Sequence, residues 1–271
     1  MRKRRWRWWI AALTALAVLA VIALDQRLIV RHYTVESDKV DTPIRLAVLT
    51  DYHGCNYGED AERLIAAVEA ESPDTVLLVG DIFDDVLPWD DSEALVRSLA
   101  AQYPCYYVTG NHEYWSGEVD EICRIIQAAG AVVLHGSSSA LRIDDQTINI
   151  CGIPDPSDPI STSTVLQRAA SDADPDAFTV LLAHRPERIE KYAATGDFDL
   201  VVSGHAHGGQ VRIPGVLNGL YAPNQGFFPE YAGGLYEVDG TVLVVSRGLA
   251  RESTRFPRIF NRPELVVIEI N

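Results

Sequence analysis

Short apolar runs alternate with segments of helical spacing over much of the chain. Between residues 44 and 129, three apolar runs are each followed by a segment whose apolar residues recur every three or four positions. Such runs predict buried strands, and the segments between them predict the crossover helices of an α/β sheet. The predicted strands are Ile44–Thr50, Thr75–Gly80 and Cys105–Thr109, and the predicted helices are Asp60–Glu71, Ser92–Ala101 and Val119–Ala129.

The pattern changes after residue 130, where shorter apolar runs are separated by tight turns. One more helix is predicted at Thr164–Ser171, and the Gly- and Pro-rich loop from Pro214 to Pro229 is too long to be a simple connection. The whole pattern predicts an α/β fold. The further predicted strands are Ala131–Leu134, Ala140–Ile143, Thr147–Ile153, Phe178–Ala183, Asp199–Ser203, Gly234–Val238, Thr241–Ser246 and Leu265–Ile270.

The N-terminal segment has the pattern of a membrane anchor. From Trp8 to Leu24 the chain is uncharged, and Thr14 is the only polar residue between Ile10 and Leu24. As a helix this run spans about 25 Å, at the short end of the range for crossing a bilayer. It is apolar all round, which argues against an amphipathic core helix. A cleaved signal peptide is the other alternative, although the small residues that cleavage needs lie inside the apolar run.

Charge is distributed unevenly along the chain. Five of the 23 basic residues and none of the 38 acidic ones precede the apolar run, which leaves 18 basic against 38 acidic residues in the remainder. This arrangement predicts a cytoplasmic N-terminus and an extracytoplasmic body at the cell membrane. The overall charge of −15 argues against a nucleic-acid partner, since phosphate binding needs a basic surface. The sequence therefore predicts a basic head and anchor (1–25), a linker (26–42) and a catalytic domain (43–271).

Polar residues follow five of the predicted strands at the point where each strand ends. In open α/β sheets, ligands bind outside the carboxyl ends of the strands, so we expect these side chains to meet. They are carboxylates, an amide and imidazoles without a thiolate, a set that suits Mn²⁺, Zn²⁺ or Fe and is too rich in nitrogen for Ca²⁺. The seven candidate metal ligands are Asp51, His53, Asp81, Asn111, His184, His205 and His207.

Seven donors are more than one ion needs. Two divalent ions that share a carboxylate would use them all. Such a pair binds phosphate oxygens and lowers the pKa of a bound water, so hydrolysis of a phosphoester or a pyrophosphate is the expected chemistry. The phosphorylated substrate would be a small molecule or a lipid.

The same residues form an ordered set of short motifs, namely D-x-H, G-D, G-N-H-[ED], a lone H and G-H-x-H. This set resembles that of the calcineurin-like metallophosphoesterase superfamily. In this chain the motifs are Asp51-Tyr52-His53, Gly80-Asp81, Gly110-Asn111-His112-Glu113, His184 and Gly204-His205-Ala206-His207. The resemblance implies a four-layer α/β/β/α sandwich, here preceded by one transmembrane helix.

The resemblance also implies roles for the site residues. Asp81 would bridge two metals, and His112 would be a catalytic histidine that holds neither of them. The implied ligands are Asp51, His53 and His207 for one metal and Asn111, His184 and His205 for the other.

Two further segments, Gly208-Gly209-Gln210 and Ser246-Arg247-Gly248, look like the membrane-anchored bacterial branch of that superfamily. The branch includes peripheral phosphoesterases and enzymes similar to UDP-2,3-diacylglucosamine pyrophosphatase. The leading hypothesis is a broad phosphoesterase at the membrane, and the alternative is a nucleotide-lipid pyrophosphatase. A non-catalytic metal-binding interaction module is the third hypothesis, and it predicts the loss of some ligands or of His112.

Overall fold

The computed structural model describes residues 2–251 and 257–271. The helices are α1 (Arg2–Ala23), α2 (Glu62–Glu71), α3 (Asp90–Ala100), α4 (Asn111–Trp115), α5 (Val119–Ala128), α6 (Thr162–Ser171) and α7 (Ile189–Ala193). The strands are β1 (Ile29–Val35), β2 (Ile44–Leu49), β3 (Thr75–Val79), β4 (Cys105–Val108), β5 (Val132–Val133), β6 (Ser137–Ile143), β7 (Gln146–Gly152), β8 (Thr179–Leu182), β9 (Leu200–Ser203), β10 (Tyr221–Ala222), β11 (Gly226–Phe227), β12 (Gly234–Val238), β13 (Thr241–Val245) and β14 (Glu264–Ile270).

Two six-stranded sheets form the centre of the fold. In the first sheet the strand order is β1-β14-β2-β3-β4-β5, with β2 to β5 parallel and β14 antiparallel to β2. In the second sheet the order is β12-β13-β9-β8-β7-β6, with four parallel central strands and antiparallel edges. The parallel strands of each sheet place their carboxyl ends, and the loops that follow them, along one edge.

The alternation of side chains along each strand builds three apolar layers. Leu46 and Val48 of β2 point toward the second sheet, whereas Ala47 and Leu49 point toward α2, α3 and α5. Helices α6 and α7 cover the outer face of the second sheet in the same way. Because both faces of each sheet are covered, the central strands are mostly apolar. The predicted four-layer α/β/β/α sandwich is confirmed.

The segment predicted as a linker, 26–42, differs from that prediction. Ile29–Val35 forms β1, which pairs in parallel with β14 over seven residues. Most of its residues are exposed or half-buried, as on an edge strand, so its composition is polar and resembles that of a loop. The sequence also gave no signal for the short elements α4, α7, β10 and β11.

Helix α1 projects from this body and is in contact with it at its C-terminal end. Trp6–Ala23 is long and apolar enough to cross a membrane by length and composition. At the base of the helix, the Phe260 backbone N–H donates a hydrogen bond of 2.7 Å to the Ala23 carbonyl. The Gln26 side chain donates another, of 3.2 Å, to the Arg258 carbonyl. These two hydrogen bonds hold the C-terminal end of α1 against the body.

Candidate metal centre

The five polar strand ends meet at one edge of the sandwich. Loops after β2, β3 and β4 come from the first sheet, and loops after β8 and β9 come from the second. All seven predicted ligands are buried in these loops: Asp51, His53, Asp81, Asn111, His184, His205 and His207. The loops of both sheets thus enclose one polar cluster.

Asp81 belongs to two groups of potential ligand atoms. One group joins it to Asp51, His53 and His207, and the other joins it to His184 and His205, with the ligand atoms of each group within 4.8 Å of one another. Asp81 Oδ2 lies 3.1 Å from His184 Nε2 and 3.8 Å from His53 Nε2. A carboxylate between two groups is the arrangement that a pair of bridged metal ions requires.

Several potential ligand atoms in the cluster are buried without a hydrogen bond from any described residue. These atoms are His53 Nε2, His184 Nε2 and Asn111 Oδ1. A buried polar atom that has no partner costs free energy, so native proteins pair nearly all of them. Lone pairs gathered in this way match the demands of a divalent cation, and the residues therefore fit two metal ions.

Hydrogen bonds fix the orientation of the imidazole rings. His184 Nδ1 donates to the Val79 carbonyl at 2.8 Å, and its other nitrogen points toward Asp81. Asn224 Oδ1 accepts from the Arg185 guanidinium and lies 2.8 Å from His205 Nε2. Because an oxygen that accepts must face an N–H, Nε2 of His205 carries the proton and Nδ1 keeps the lone pair.

The electrostatics of the cluster favour positive charge. Burial raises the pKa of the Asp81 carboxyl, but His184 and the other histidines outweigh it and hold that pKa well below its usual range. For His184, burial lowers the pKa, and the carboxylates of Asp81 and Asp51 outweigh it and raise the pKa to about 10. The carboxylates thus stay ionised and attract cations.

The pKa values of the last two histidines, His205 and His207, are shifted downward instead. Burial, together with the positive charge of His184 and Arg185, lowers the pKa of His205 to about 4. Burial and the neighbouring His53 and Arg258 lower the pKa of His207 to about 3, although Asp51 opposes them. Both rings are neutral at physiological pH, which is the form that binds metals.

The backbone at the site is strained. Non-glycine residues rarely adopt a positive φ, and each such residue costs roughly 1–3 kcal/mol. Here five of the seven candidate ligands do so: Asp51 (51°), His53 (52°), Asp81 (52°), His205 (63°) and His207 (47°). Nine other described non-glycine residues also have a positive φ, but five such residues at one buried cluster are typical of a functional site, because the surrounding fold must hold them in place.

Two glycines of the motifs are required by close packing of the loops. A Cβ atom at Gly110 would overlap the Asp81 carboxylate, and one at Gly204 would overlap the hydroxyl of Thr50. The backbones after β4 and β9 therefore pass directly against the residues of the neighbouring loops. This is the physical reason why glycine precedes Asn111 and His205.

Glu113 ties two of these loops together, the one after β3 and the one after β4. Its buried carboxylate accepts hydrogen bonds from the backbone N–H groups of Gly110, Asp81, Ile82 and Phe83 at 2.8–3.1 Å. Burial and the negative charge of Asp81 raise the pKa of Glu113 to about 7. The acidic residue of the G-N-H-[ED] motif thus holds the backbone that presents Asp81 and Asn111.

His112, predicted to be catalytic, lies at the rim of the cluster. Its side chain is 22% exposed, and its Nδ1 lies 2.6 Å from Asp85 Oδ1. Its ring contacts the ring of His53, with centroids 4.4 Å apart. It lies outside both groups that share Asp81, but it forms a third group with His53 and Asp84. The assignment of His112 to proton transfer therefore stays a prediction.

Three residues at the site were missed by the sequence analysis. Asp84 Oδ2 lies 2.7 Å from His53 Nδ1 and orients that ring, and Asp85 does the same for His112. Asp84 and Asp85 lie three and four residues after Asp81 of the G-D motif, and this spacing is the sequence signal that could have revealed them. Asn224 belongs to the loop 214–229, where no pattern in the sequence singled it out.

The fold and the cluster define a four-layer α/β protein with a candidate dinuclear metal centre at the carboxyl edge of its sheets. The family model of the calcineurin-like phosphoesterases matches residues 44–209, more than half of the chain. The chain therefore belongs to the calcineurin-like phosphoesterase family.

Relatives with known names agree with this assignment. An uncharacterized metallophosphoesterase of Campylobacter jejuni is 31% identical over 251 residues, covering 89% of this chain and 63% of that protein. A bovine (Bos taurus) transmembrane protein with a metallophosphoesterase domain is 31% identical over 222 residues, covering 76% and 48%. The chain thus spans about half to two thirds of the length of these relatives. Among solved structures, the NAD nucleotidase of Haemophilus influenzae has the same fold, with a TM-score of 0.52, 15% identity and coverage of 78% and 46%.

Proposed function

We propose that this protein is a dinuclear metal-dependent phosphohydrolase that cleaves a phosphoester or a pyrophosphate bond at the membrane. The observation that supports the proposal most directly is the position of Asp81, which is shared by two groups of buried ligand atoms. Family membership supports the same reaction class. The non-catalytic module is disfavoured because the seven candidate ligands and His112 are all present.

Each candidate residue has a part in this proposal. Asp81 would serve both metal ions, Asp51, His53 and His207 would complete the site of one ion, and Asn111, His184 and His205 would complete the site of the other. Two divalent ions, Mn²⁺, Zn²⁺ or Fe, would supply charge for the phosphate oxygens and lower the pKa of a bound water. His112, at the rim and within reach of solvent, would give a proton to the leaving oxygen, with Asp85 holding its ring.

The experiment that tests the reaction class combines metal analysis with a substrate panel on the full chain in detergent. We expect about two divalent ions per chain, hydrolysis of model monoesters or diesters, loss of turnover after exhaustive chelation and its return with Mn²⁺ or Zn²⁺. A UDP-linked lipid in the panel tests the alternative of a nucleotide-lipid pyrophosphatase. Full turnover by metal-free protein would rule the proposal out.

The membrane location rests on α1 and on relatives that are named transmembrane proteins in Bos taurus and Danio rerio. We propose that α1 spans the membrane once, with the basic head in the cytoplasm and the body outside. Five basic residues precede the apolar run, whereas Asp25 stands beside Arg27 and Arg31 after it.

Protease added to intact cells or spheroplasts checks this orientation. We expect digestion of the body and survival of a small anchored fragment, with a cytoplasmic marker protein intact as the control. A body that becomes sensitive only after the membrane is broken would reverse the orientation. Because UDP-linked lipids are made in the cytoplasm, that result would also favour the nucleotide-lipid pyrophosphatase.

A further inference from the structure

The exposed apolar side chains of the body are concentrated in one segment. Outside α1 and the adjoining Leu24, nine large apolar side chains of the described residues are exposed, and five of these lie between residues 213 and 228. These five are Ile213 (49%), Val216 (83%), Tyr221 (47%), Phe227 (71%) and Phe228 (69%). The ring of Phe227 contacts the rings of both Tyr221 and Phe228. Single exposed apolar residues are ordinary, but contiguous exposed apolar side chains mark an interaction surface.

An apolar groove lies under the same segment. Its volume is about 520 Å³, and its lining includes Val211, Leu220, Tyr221, Phe227, Pro257 and Ile259. The rings of Tyr221 and Phe227 pack edge to face across the β10–β11 hairpin with centroids 5.4 Å apart, and both line the groove. The groove therefore presents hydrocarbon and aromatic surface to whatever covers it.

The groove is joined to the base of α1 by two consecutive residues. The Ile259 N–H donates to the Gln210 carbonyl at 3.0 Å, on the groove side, and the Phe260 N–H donates to the Ala23 carbonyl at 2.7 Å. Pro214 and Phe260 line a second depression together with Ile22 of α1. The apolar segment thus flanks the point where α1 leaves the body.

Arginines surround the same point in a body that is otherwise strongly acidic. Arg31, Arg247 and Arg262 line the second depression, which has a volume of about 350 Å³. Arg247 is paired with Glu264, and Arg262 lies 3.4 Å from Asp25, so the cluster keeps a net positive charge. Basic side chains next to a membrane helix attract the phosphates of anionic lipids.

We propose that these residues form a bilayer-docking surface, defined as Ile213, Val216, Tyr221, Phe227 and Phe228 with Arg31 and Arg262; Arg247 is buried against Glu264 and supports the surface from below. The anionic lipid leaflet is its partner: the aromatic hairpin enters the boundary of the acyl chains, and the arginines meet the lipid phosphates. The inference rests on the proposed anchor, since α1 brings this surface to the bilayer. The positive charge distinguishes a lipid surface from an uncharged protein partner.

Docking would also orient the candidate metal centre. Asn224, at the turn of the β10–β11 hairpin, contacts both His205 and Arg185 through its Oδ1. A hairpin that lies in the bilayer boundary is therefore fixed directly to a candidate metal ligand. The mouth of the metal centre is held near the lipid headgroups.

Fluorescence quenching by spin-labelled lipid tests the docking. The full chain is reconstituted into vesicles with roughly one-third anionic lipid, and Phe227→Cys is labelled with an environment-sensitive dye. Val132→Cys, exposed at the opposite edge of the first sheet, is the matched control. Labelled wild type supplies the background from the native cysteines. We expect roughly half of the dye fluorescence at 227 to be quenched by doxyl groups near the headgroups and little change at 132.

The outcomes separate docking from anchoring. If the protein floats with the vesicles but the dye is quenched equally weakly at positions 227 and 132, the anchor is supported and the docking surface is overturned. If the protein does not float, both the anchor and the docking surface are overturned. The proposed reaction class is tested separately, by the substrate panel. If the dye at position 227 becomes more shielded from solvent as the protein concentration in detergent rises, the surface is an interface with a second copy of the chain and the lipid proposal is wrong. Quenching that is unchanged in zwitterionic vesicles would overturn the role of the arginines.

Discussion

Replacing Asp81 by asparagine is expected to lower turnover by about 10³-fold or more and to reduce the bound metal from two ions to one or fewer. The carboxylate is shared by the two groups of ligand atoms, so its charge supports both ions. The loss of several kcal/mol of transition-state stabilisation corresponds to that factor, at about 1.4 kcal/mol for each tenfold change in rate. The measurements are kcat on a model phosphoester and metal content.

The fold should survive this change. Asparagine adopts a positive φ more readily than most residues, and its Oδ1 can still accept the 2.9 Å hydrogen bond from the His112 N–H. Asp144→Asn is the matched control, because Asp144 is exposed, lies far from the cluster in the chain and also has a φ of 52°. Turnover of the Asp81 variant within tenfold of wild type, with both ions retained, would refute the bridging role.

Replacing His112 by asparagine is expected to lower kcat by roughly 10²–10⁴-fold while the metal content stays at two ions. This factor is the usual contribution of a positioned proton donor. A nitrophenyl ester, whose leaving group needs little protonation, should lose much less rate than an alkyl ester. The comparison of kcat for the two esters checks the role of the side chain.

His135→Asn serves as the control for this variant. His135 lies outside the candidate metal centre, is 43% exposed at its side chain and pairs with Asp158 at 2.8 Å. We expect its substitution to leave kcat unchanged. If the His112 variant loses an ion instead, His112 is a ligand in the group with His53 and Asp84, and the proposed division of roles is wrong.

The sequence predicted the central part of the fold well because both faces of each sheet are covered. Buried strands such as β3 (TVLLV) and β8 (TVLL) are then apolar after their first residue, and the polar residues that follow them stand out. The cluster could be anticipated for the same reason, since parallel strands deliver their carboxyl ends to one edge. Strand ends thus carried most of the information about the site.

What the sequence did not reveal depends on contacts between distant segments. β1 is an edge strand whose polar face is exposed, so its membership of the sheet follows only from its pairing with β14. Asn224 reaches His205 across a turn of irregular backbone. Hydrogen bonds of this kind have no period along the chain, and pattern analysis therefore cannot find them.

The pairing of β1 with β14 determines where a soluble form of the body can begin. Cutting the chain at residue 43, the boundary expected from sequence, would remove β1 and leave β14 as the outermost strand of the first sheet. Six of the seven residues of β14 are buried, among them Val266, Val267 and Ile268. An uncovered apolar strand edge recruits other strands and promotes aggregation. A soluble body should therefore start before Ile29, with its protective edge strand intact.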